Sequence, residues 1–137
     1  MFINRGYIIM SDAETLCNEI LKLDPSIRFA GVANNMGRLI AAKFRKGLQP
    51  LLTREEMESY TIKAVLRMKT REDYESELGK TIYTYALYEK VKRASIALDS
   101  ASYSLLMVSF DTASDHEAII LDKILPILKR QRLRGSK

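Results

Sequence analysis

Three runs of residues with strand periodicity lie between Thr81 and Phe110. In the first two runs, β-branched and aromatic residues alternate between two faces, which is typical of strands in a sheet. The third run, Tyr103 to Phe110, is apolar on both faces and indicates a strand that is covered on both sides. Glu89-Lys90 separates the first two runs, and the turn-forming stretch Asp99 to Ser102 separates the last two. The pattern predicts a three-stranded antiparallel meander.

A second pair of strand-like runs, residues 27–33 and 38–44, is separated by Asn34 to Gly37. Asn and Gly tolerate the positive φ angles of a hairpin turn, so these runs predict a β-hairpin. Alternation predicts that one face of the first strand carries Ile27, Phe29, Gly31 and Ala33, and one face of the second carries Ile40, Ala42 and Phe44. The many small residues of the hairpin favour close packing of a helix over a ligand pocket.

Three capping boxes, each a Ser or Thr followed three residues later by Glu, precede runs with helical periodicity. They are Ser11/Glu14, Thr53/Glu56 and Ser114/Glu117. We expect the first helix to end before Pro25, the second to end near Lys69, and the third to bend or end at Pro126. Residues 70–80 form a polar connection. The predicted order is helix, strand, strand, helix, three strands and a final helix.

The predicted middle helix has apolar residues on two sides. One stripe suits packing on the sheet and consists of Met57, Tyr60, Thr61, Ala64, Val65 and Met68. Ile62 and Leu66 lie one turn apart and project from nearly the opposite side. A helix that is apolar on two sides within a small domain needs a second surface to lie against. A partner subunit is the simpler source of that surface, and a loop of the same chain is the other.

The length of 137 residues, with 47% hydrophobic and 28% charged residues, predicts one globular domain with its own core. We interpret residues 1–10 as an N-terminal extension, residues 11–128 as the domain and residues 129–137 as a basic tail. Cys17 is the only cysteine, which excludes a disulfide within the chain and favours the cytoplasm. Its place on the apolar side of the first helix predicts a buried thiol. No apolar run approaches the roughly 18 residues of a membrane span.

The net charge of +5 comes from the end of the chain. Five of the 22 basic residues lie there, and the other 17 balance the 17 acidic residues. The candidate contacts to an anion or a nucleic acid are Lys129, Arg130, Arg132 and Arg134. The interpretation that we favour is simpler, because basic residues at the end of a helix also complement its dipole.

No stretch carries a complete catalytic or metal-binding motif. Gly79-Lys80-Thr81 resembles the end of a phosphate-binding loop, but the first glycine of that motif is missing and the predicted context is helix to strand. Acidic residues and the only histidine crowd the start of the last helix at Asp111, Asp115, His116 and Glu117. Capping explains these acids, and the histidine has no second imidazole beside it. We therefore expect no enzyme activity, no cofactor and no metal.

Tyrosines and basic residues interleave on the first two strands of the meander. The residues are Tyr83, Tyr85, Tyr88, Lys90, Lys92 and Arg93. Such a surface would suit the stacking of bases beside a phosphate track. It also suits a subunit interface or a plain sheet surface, and we favour these over nucleic-acid binding.

Two stretches resemble the roadblock, or dynein light-chain, family of the profilin-like and longin-like group, and the chain is identified as a bacterial or archaeal member. IRFAGVANNMGRLIAAKF resembles the first hairpin of the family, and KVKRASIALDSASYSLLMVSFD resembles its fourth and fifth strands. The resemblance extends from Ser11 to Leu128. It implies an α+β fold of the order α-β-β-α-β-β-β-α, in which helices flank a five-stranded antiparallel sheet.

The resemblance also implies a function without catalytic residues. Members of the family form homodimers or heterodimers by joining sheets edge to edge and pairing their central helices. This places Ile62, Leu66, Tyr83 and Tyr85 at the dimer interface. Members act as scaffolds and as regulators of small GTPases. The expected function is therefore a dimeric protein-interaction module with a small GTPase or another protein as its partner.

Two other functions stay open from the sequence. A small-molecule sensor of PAS-like architecture would hold its ligand between the sheet and a helix, in a cavity lined by Phe29, Ile40, Leu106 and Val108. A nucleic-acid-binding protein would use the basic tail and the tyrosine strand, with an affinity that falls as salt rises.

Overall fold

The computed structural model describes residues 12–135, with side chains described as far as residue 131. A five-stranded antiparallel sheet has the strand order β2-β1-β5-β4-β3. The strands are β1 (Ile27–Asn34), β2 (Leu39–Phe44), β3 (Tyr83–Leu87), β4 (Lys92–Ala97) and β5 (Tyr103–Phe110). The predicted hairpin and the predicted meander are both confirmed, and the pairing of β1 with β5 joins them.

Local chemistry fixes the hairpin turn as the sequence predicts. The side-chain oxygen Oδ1 of Asn34 accepts hydrogen bonds from the backbone N–H groups of Met36 and Arg38, at 2.9 and 3.0 Å. Gly37 adopts a φ of +84°, which glycine tolerates without steric cost. The turn is therefore built by residues of the turn itself.

Helices cover both faces of the sheet. They are α1 (Asp12–Leu21), α2 (Arg54–Arg71), α3 (Glu75–Leu78), α4 (His116–Ile119) and α5 (Leu125–Gly135). A 3-10 turn, Glu72–Tyr74, joins α2 to α3, and a π-helical segment, Ile120–Ile124, joins α4 to α5. The polar connection that the sequence predicts at residues 70–80 is therefore mostly helical, and α2 ends close to the predicted position.

The capping boxes have different outcomes. The Thr53/Glu56 box is confirmed, because each side chain accepts a hydrogen bond from the backbone N–H of the other residue. The Ser114/Glu117 box is wrong. Asp115 is the N-cap, and its Oδ1 accepts from the N–H of Ala118 at 3.2 Å. A carboxylate one residue later competes successfully for the same orphan donors. The Ser11/Glu14 box and the expected extension, residues 1–10, depend on residues outside the described range.

The sheet separates two apolar clusters. On one face, α1 and the C-terminal helices cover the first cluster, to which the sheet contributes mainly Ala30, Val32, Ala41, Ala94, Ile96, Leu106, Val108 and Phe110. On the other face, α2 covers the second cluster, which consists of Phe29, Ala33, Met57, Ala64, Val65, Met68, Leu105 and Met107. The clusters explain why β5 is apolar on both faces.

The predicted alternation along β1 is wrong at Ile27. A bulge interrupts the pairing of β1 with β5 between Ile27 and Phe29, so Ile27 packs in the first cluster and Phe29 in the second. One extra residue in a strand moves the side chains before it to the other face.

Gly31 makes room for neighbouring side chains and not, as the sequence predicts, for a helix. A Cβ atom at Gly31 would lie 2.6 Å from Phe29 Cζ and 2.9 Å from Leu39 Cδ1.

Pro126 does not end the last helix, which continues to Gly135. The backbone widens just before the proline, where the N–H of Leu125 donates to the carbonyl of Ile120 five residues back. A π-helical segment at this point relieves the clash between the proline ring and the preceding turn. The first residues of the predicted basic tail therefore belong to α5.

Cys17 is confirmed as a buried thiol. Its side chain is fully buried in the first cluster, and this burial raises its pKa to about 11. The thiolate is the reactive form of cysteine, so this thiol is chemically inert at neutral pH. Within residues 12–135, no helix is long and apolar enough to cross a membrane.

Candidate protein-interaction surface

The outward side of α2 is apolar, as the sequence predicts. Ile62 is 47% exposed and Leu66 is 56% exposed, although both lie in the middle of an 18-residue helix. The hairpin turn covers Ile62 in part, since a Cβ atom at Gly37 would lie 3.2 Å from its Cα. A loop of the same chain therefore contacts one of the two side chains, and about half of each side chain stays exposed.

The strand β3 is an edge of the sheet and lies beside this helix. Ile82 accepts a hydrogen bond from the N–H of Ala97, and Tyr88 donates one to Val91. In an antiparallel pair the backbone groups of alternate residues point to the same neighbour. The even-numbered residues of β3 therefore bond to β4, and Tyr83, Tyr85 and Leu87 direct their backbone N–H and C=O groups outward.

Two of the predicted interface side chains lie on the face of the sheet opposite α2. Tyr83 packs against the first cluster. The ring of Tyr85 stacks on His116 of α4, with ring centroids 3.9 Å apart and planes 2° from parallel. Their side chains therefore support the C-terminal helices. Only their backbone groups lie at the free edge.

A cavity of about 280 Å³ lies between α2 and β3. Residues of both elements line it, and the hydroxyl oxygens of Tyr60 and Tyr88 are 3.2 Å apart at its wall. Burial, and after it the hydrogen bond to Tyr88, raises the pKa of Tyr60 to about 12. Arg67, Arg71 and Arg93 also line the cavity, and no acidic residue does. This side of α2 is therefore basic beside the free edge.

Arg93 is the residue that the sequence analysis placed wrongly, among exposed basic residues of the meander. It is 8% exposed, and its guanidinium carbon lies 4.2 Å from the ring centroid of Tyr60 and 5.6 Å from that of Phe29. Burial lowers its pKa. The sequence contained a weak indication that Arg93 is buried, because Arg93 alternates with Ala94 and Ile96 in a strand with two covered faces.

The acidic residues at the start of the last helix have two different structural roles. Asp111 accepts hydrogen bonds from Arg45 at 2.8 and 3.2 Å and from Arg28 at 3.2 Å. Asp115 caps α4. Within residues 12–135, no three His, Cys, Asp or Glu side chains come together in a group that could hold a metal ion.

Replacing Asp111 by Asn is expected to lower stability at neutral pH and to change little in acid. The hydrogen bond from Arg45, and then that from Arg28, lower the pKa of Asp111. A carboxyl with a lowered folded-state pKa stabilises the fold above its unfolded pKa of about 3.9, and loses this effect as pH falls through the folded pKa. Because the carboxyl is partly exposed, the effect is below about 1 kcal/mol. Urea unfolding near pH 7 and near pH 3 measures it.

Asp122→Asn is the matched control, since Asp122 is an exposed carboxyl on the C-terminal helix. We expect its urea midpoint to follow the wild type at both pH values. Equal losses of stability for Asp111→Asn in acid and at neutral pH would show that the ion pairs do not carry the effect.

The candidate anion contacts of the tail lie on α5. The side chains of Lys129 and Arg130 are exposed. Arg132 and Arg134 belong to the same helix, and their side chains lie outside the described part of the structure. The rings of Tyr83 and Tyr85 are engaged within the fold, Tyr83 in the first cluster and Tyr85 on His116.

The cavity that the sequence predicts for a sensor is wrong. Phe29 lies in the second cluster, and Leu106 and Val108 are fully buried in the first, on the other face of the sheet. Ile40 is partly exposed at the edge strand β2. Side chains on opposite faces of one sheet cannot line one cavity. Val108 pairs with Ala30 and Leu106 with Val32, and this register between β1 and β5 is not visible in the sequence pattern.

Comparison with known proteins yields solved structures alone. No family model matches the chain, and no curated protein matches it. MglB of Thermus thermophilus, a gliding protein, is 11% identical with a TM-score of 0.65, and the match covers 93% of this chain and 99% of that one. MglB of Myxococcus xanthus is 13% identical with a TM-score of 0.61, covering 88% and 97%.

A Roadblock/LC7 domain from Streptomyces avermitilis is similar in the same way, at 12% identity and a TM-score of 0.59, covering 87% of this chain and 99% of that domain. At such identities the comparison concerns the fold. The order of helices and strands, the sheet and the helices on both of its faces all agree with the resemblance found in the sequence. The chain therefore has the α+β fold of the Roadblock/LC7 domain.

Proposed function

We propose that the protein is a non-enzymatic interaction module that works as a homodimer. One observation carries the proposal, namely that the same domain exposes two large apolar side chains in the middle of α2, Ile62 and Leu66, and leaves the backbone edge of β3 unpaired. Edge strands are templates for pairing with another chain. Two copies related by a two-fold axis would join their β3 edges and pack α2 against α2.

Charge along α2 supports an antiparallel arrangement of the two helices. The first turn of α2 is acidic, with Glu55 and Glu56, and the last turn is basic, with Lys69 and Arg71. A two-fold axis through the middle of α2 sets the acidic end of one helix beside the basic end of the other. Such complementarity favours this orientation over a parallel one.

The exposed apolar area of α2 favours association. Burial of apolar surface contributes about 25 cal/mol per Å², so two large aliphatic side chains per protomer contribute several kcal/mol before the entropic cost of association. Backbone hydrogen bonds between the β3 edges satisfy groups that water otherwise solvates and fix the register of the two copies.

Replacing Leu87 by Pro tests the contribution of the edge. The outward N–H of Leu87 is one of the free donors, and proline removes it without removing a bond to β4. We expect self-association to weaken by about tenfold, which corresponds to one lost hydrogen bond together with the crowding of the ring. Sedimentation equilibrium of the variant and the wild type measures the change.

Ala86→Pro is the control, because the N–H of Ala86 points to β4 and its loss breaks the sheet within one chain. We expect Ala86→Pro to lower the unfolding midpoint, and Leu87→Pro to leave it nearly unchanged. Leu87→Pro protein that associates as tightly as the wild type would remove the edge from the proposed interface.

We further propose that the dimer regulates a protein partner, for which a small GTPase is the candidate implied by the resemblance to the roadblock family. The surfaces left free by the proposed dimer include the outer faces of the C-terminal helices, where Leu121 is exposed. In this proposal the module binds its partner and performs no chemistry of its own.

A further inference from the structure

An apolar groove of about 560 Å³ lies on the α2 face of the sheet. The loop after β2, the first turns of α2 and the turn between β3 and β4 enclose it. Its apolar lining includes Phe29, Phe44, Leu51, Leu52, Met57 and Val91. The volume falls within the roughly 300 to 1,000 Å³ that is typical of small-molecule sites. The groove differs from the cavity expected for a PAS-like sensor. Of the four residues expected to line that cavity, only Phe29 lines this groove.

The guanidinium of Arg93 lies at the inner wall of this groove. It is packed between the rings of Tyr60 and Phe29, and its Nη2 reaches Met57 Sδ at 3.9 Å. Among the described residues, no carboxylate forms an ion pair with Arg93. Aromatic rings and a thioether are weak partners for a group with five N–H donors.

A buried cation without an anion is costly, because burial removes water and nothing of opposite charge replaces it. The other charged groups at the groove do not supply an anion to Arg93. Arg28 is paired with Asp111, and Glu89 and Lys90 are exposed at the opening. The wall therefore offers one buried positive charge inside an apolar surface.

We propose that this groove binds a small amphipathic carboxylate, with the carboxylate on Arg93 and the apolar body against Phe29, Leu52 and Val91. A guanidinium is suited to a carboxylate because its N–H groups bond both oxygens at once. The apolar lining provides the affinity, and the single charge provides the selectivity. Residues 1–11, which lie outside the described range, contain no Asp or Glu and cannot supply the anion themselves.

Octanoate and 1-octanol are the probes, since they share an apolar body and differ in charge. Isothermal titration of the full chain measures both. We expect octanoate to bind with one molecule per chain and roughly tenfold to a hundredfold more tightly than 1-octanol. The Arg93→Met variant should bind both probes equally. It should also unfold at the same temperature as the wild type or higher, because it removes an unpaired buried charge.

Two further variants separate this site from its surroundings. Leu51→Glu places a negative charge at the exposed rim of the groove and should weaken octanoate binding while leaving 1-octanol binding less affected. Ile62→Asp with Leu66→Asp, which disrupts the proposed dimer, should bind octanoate like the wild type. Failure of the dimer would thus leave the groove assignment intact.

Several results would overturn the assignment. They are equal binding of octanoate and 1-octanol by the wild type, unchanged selectivity in Arg93→Met, and no binding of octanoate at millimolar concentration. Tighter binding of inorganic phosphate than of octanoate would also overturn it, and would assign Arg93 to the basic cavity between α2 and β3. A loss of stability in Arg93→Met with no change in selectivity would identify Arg93 as a structural residue that stacks on Tyr60.

Discussion

We expect replacement of both Ile62 and Leu66 by Asp to convert the proposed dimer into a folded monomer. The two side chains are about half exposed in one chain, so charged replacements cost little in the isolated fold. Across a two-fold axis, each replacement brings carboxylates of the two copies together in an apolar contact, where they are neither hydrated nor paired. We expect the dissociation constant to rise at least about a hundredfold. Light scattering should show one chain mass of 15.7 kDa for the variant and twice that for the wild type.

The control for this experiment is Leu121→Asp. Leu121 is also a partly exposed leucine on a helix, but it lies on the C-terminal helix at the other face of the sheet. We expect the Leu121→Asp variant to remain a dimer. A wild type that is monomeric at high micromolar concentration, or a double variant that still dimerises, would contradict the proposed interface. Circular dichroism of the double variant must match the wild type for the result to concern association.

Replacing Phe29 by Ala should cause a large loss of stability. Phe29 is 2% exposed and fills the space above Gly31, and its ring also packs against Phe44 and the guanidinium of Arg93. Truncation leaves a cavity between the sheet and α2, and such changes lower the free energy of unfolding by about 3 to 5 kcal/mol. For a domain of this size, the melting temperature should fall by roughly 10 °C or more.

Phe44→Ala is the matched control. Phe44 is an aromatic residue of the neighbouring strand whose ring centroid lies 4.9 Å from that of Phe29, but it is 37% exposed. Water can fill the space that its ring leaves, so we expect less than half of the loss seen for Phe29→Ala. Calorimetric unfolding of both variants tests the difference. Equal losses would mean that the second cluster does not depend on Phe29.

Local sequence patterns predict the strands and most turns because the forces that form them act over a few residues. The stretch Asn34 to Gly37 contains both the side chain that accepts the turn hydrogen bonds and the glycine that takes the positive φ. Thr53 and Glu56 likewise cap α2 through contacts within one turn. The apolar stripe of α2 and its exposed Ile62 and Leu66 follow from helical periodicity alone.

The errors arise where distant residues decide the outcome. The bulge after Ile27 forms in the pairing of β1 with β5, a strand far away in sequence, and it changes the face on which Ile27 lies. Arg93 looks like an exposed basic residue until Tyr60 and Phe29 are brought over it from other elements. The ring of Tyr85 stacks on His116 of α4, a contact that the strand pattern could not show, while its backbone groups stay at the free edge.

The position of the candidate interface was accessible from the sequence, and its chemistry was accessible only in part. The two apolar sides of α2 predicted a surface in need of a partner. The strand periodicity predicted β3 but could not show which of its backbone groups face outward, because that depends on the register with β4. The groove beside Arg93 could not be predicted, since its walls come from three separate parts of the chain.

Cross-linking through a cysteine at position 66 tests the central claim most directly. In Leu66→Cys the new thiol is on the outward side of α2, while the buried Cys17, with its raised pKa, should not react. A short bismaleimide is added at low micromolar protein concentration, and Leu121→Cys is treated in parallel. If α2 packs against α2 across a two-fold axis, Leu66→Cys gives a covalent dimer of twice 15.7 kDa and Leu121→Cys stays at one chain mass. A covalent dimer from Leu121→Cys, with Leu66→Cys remaining a single chain, would contradict the account.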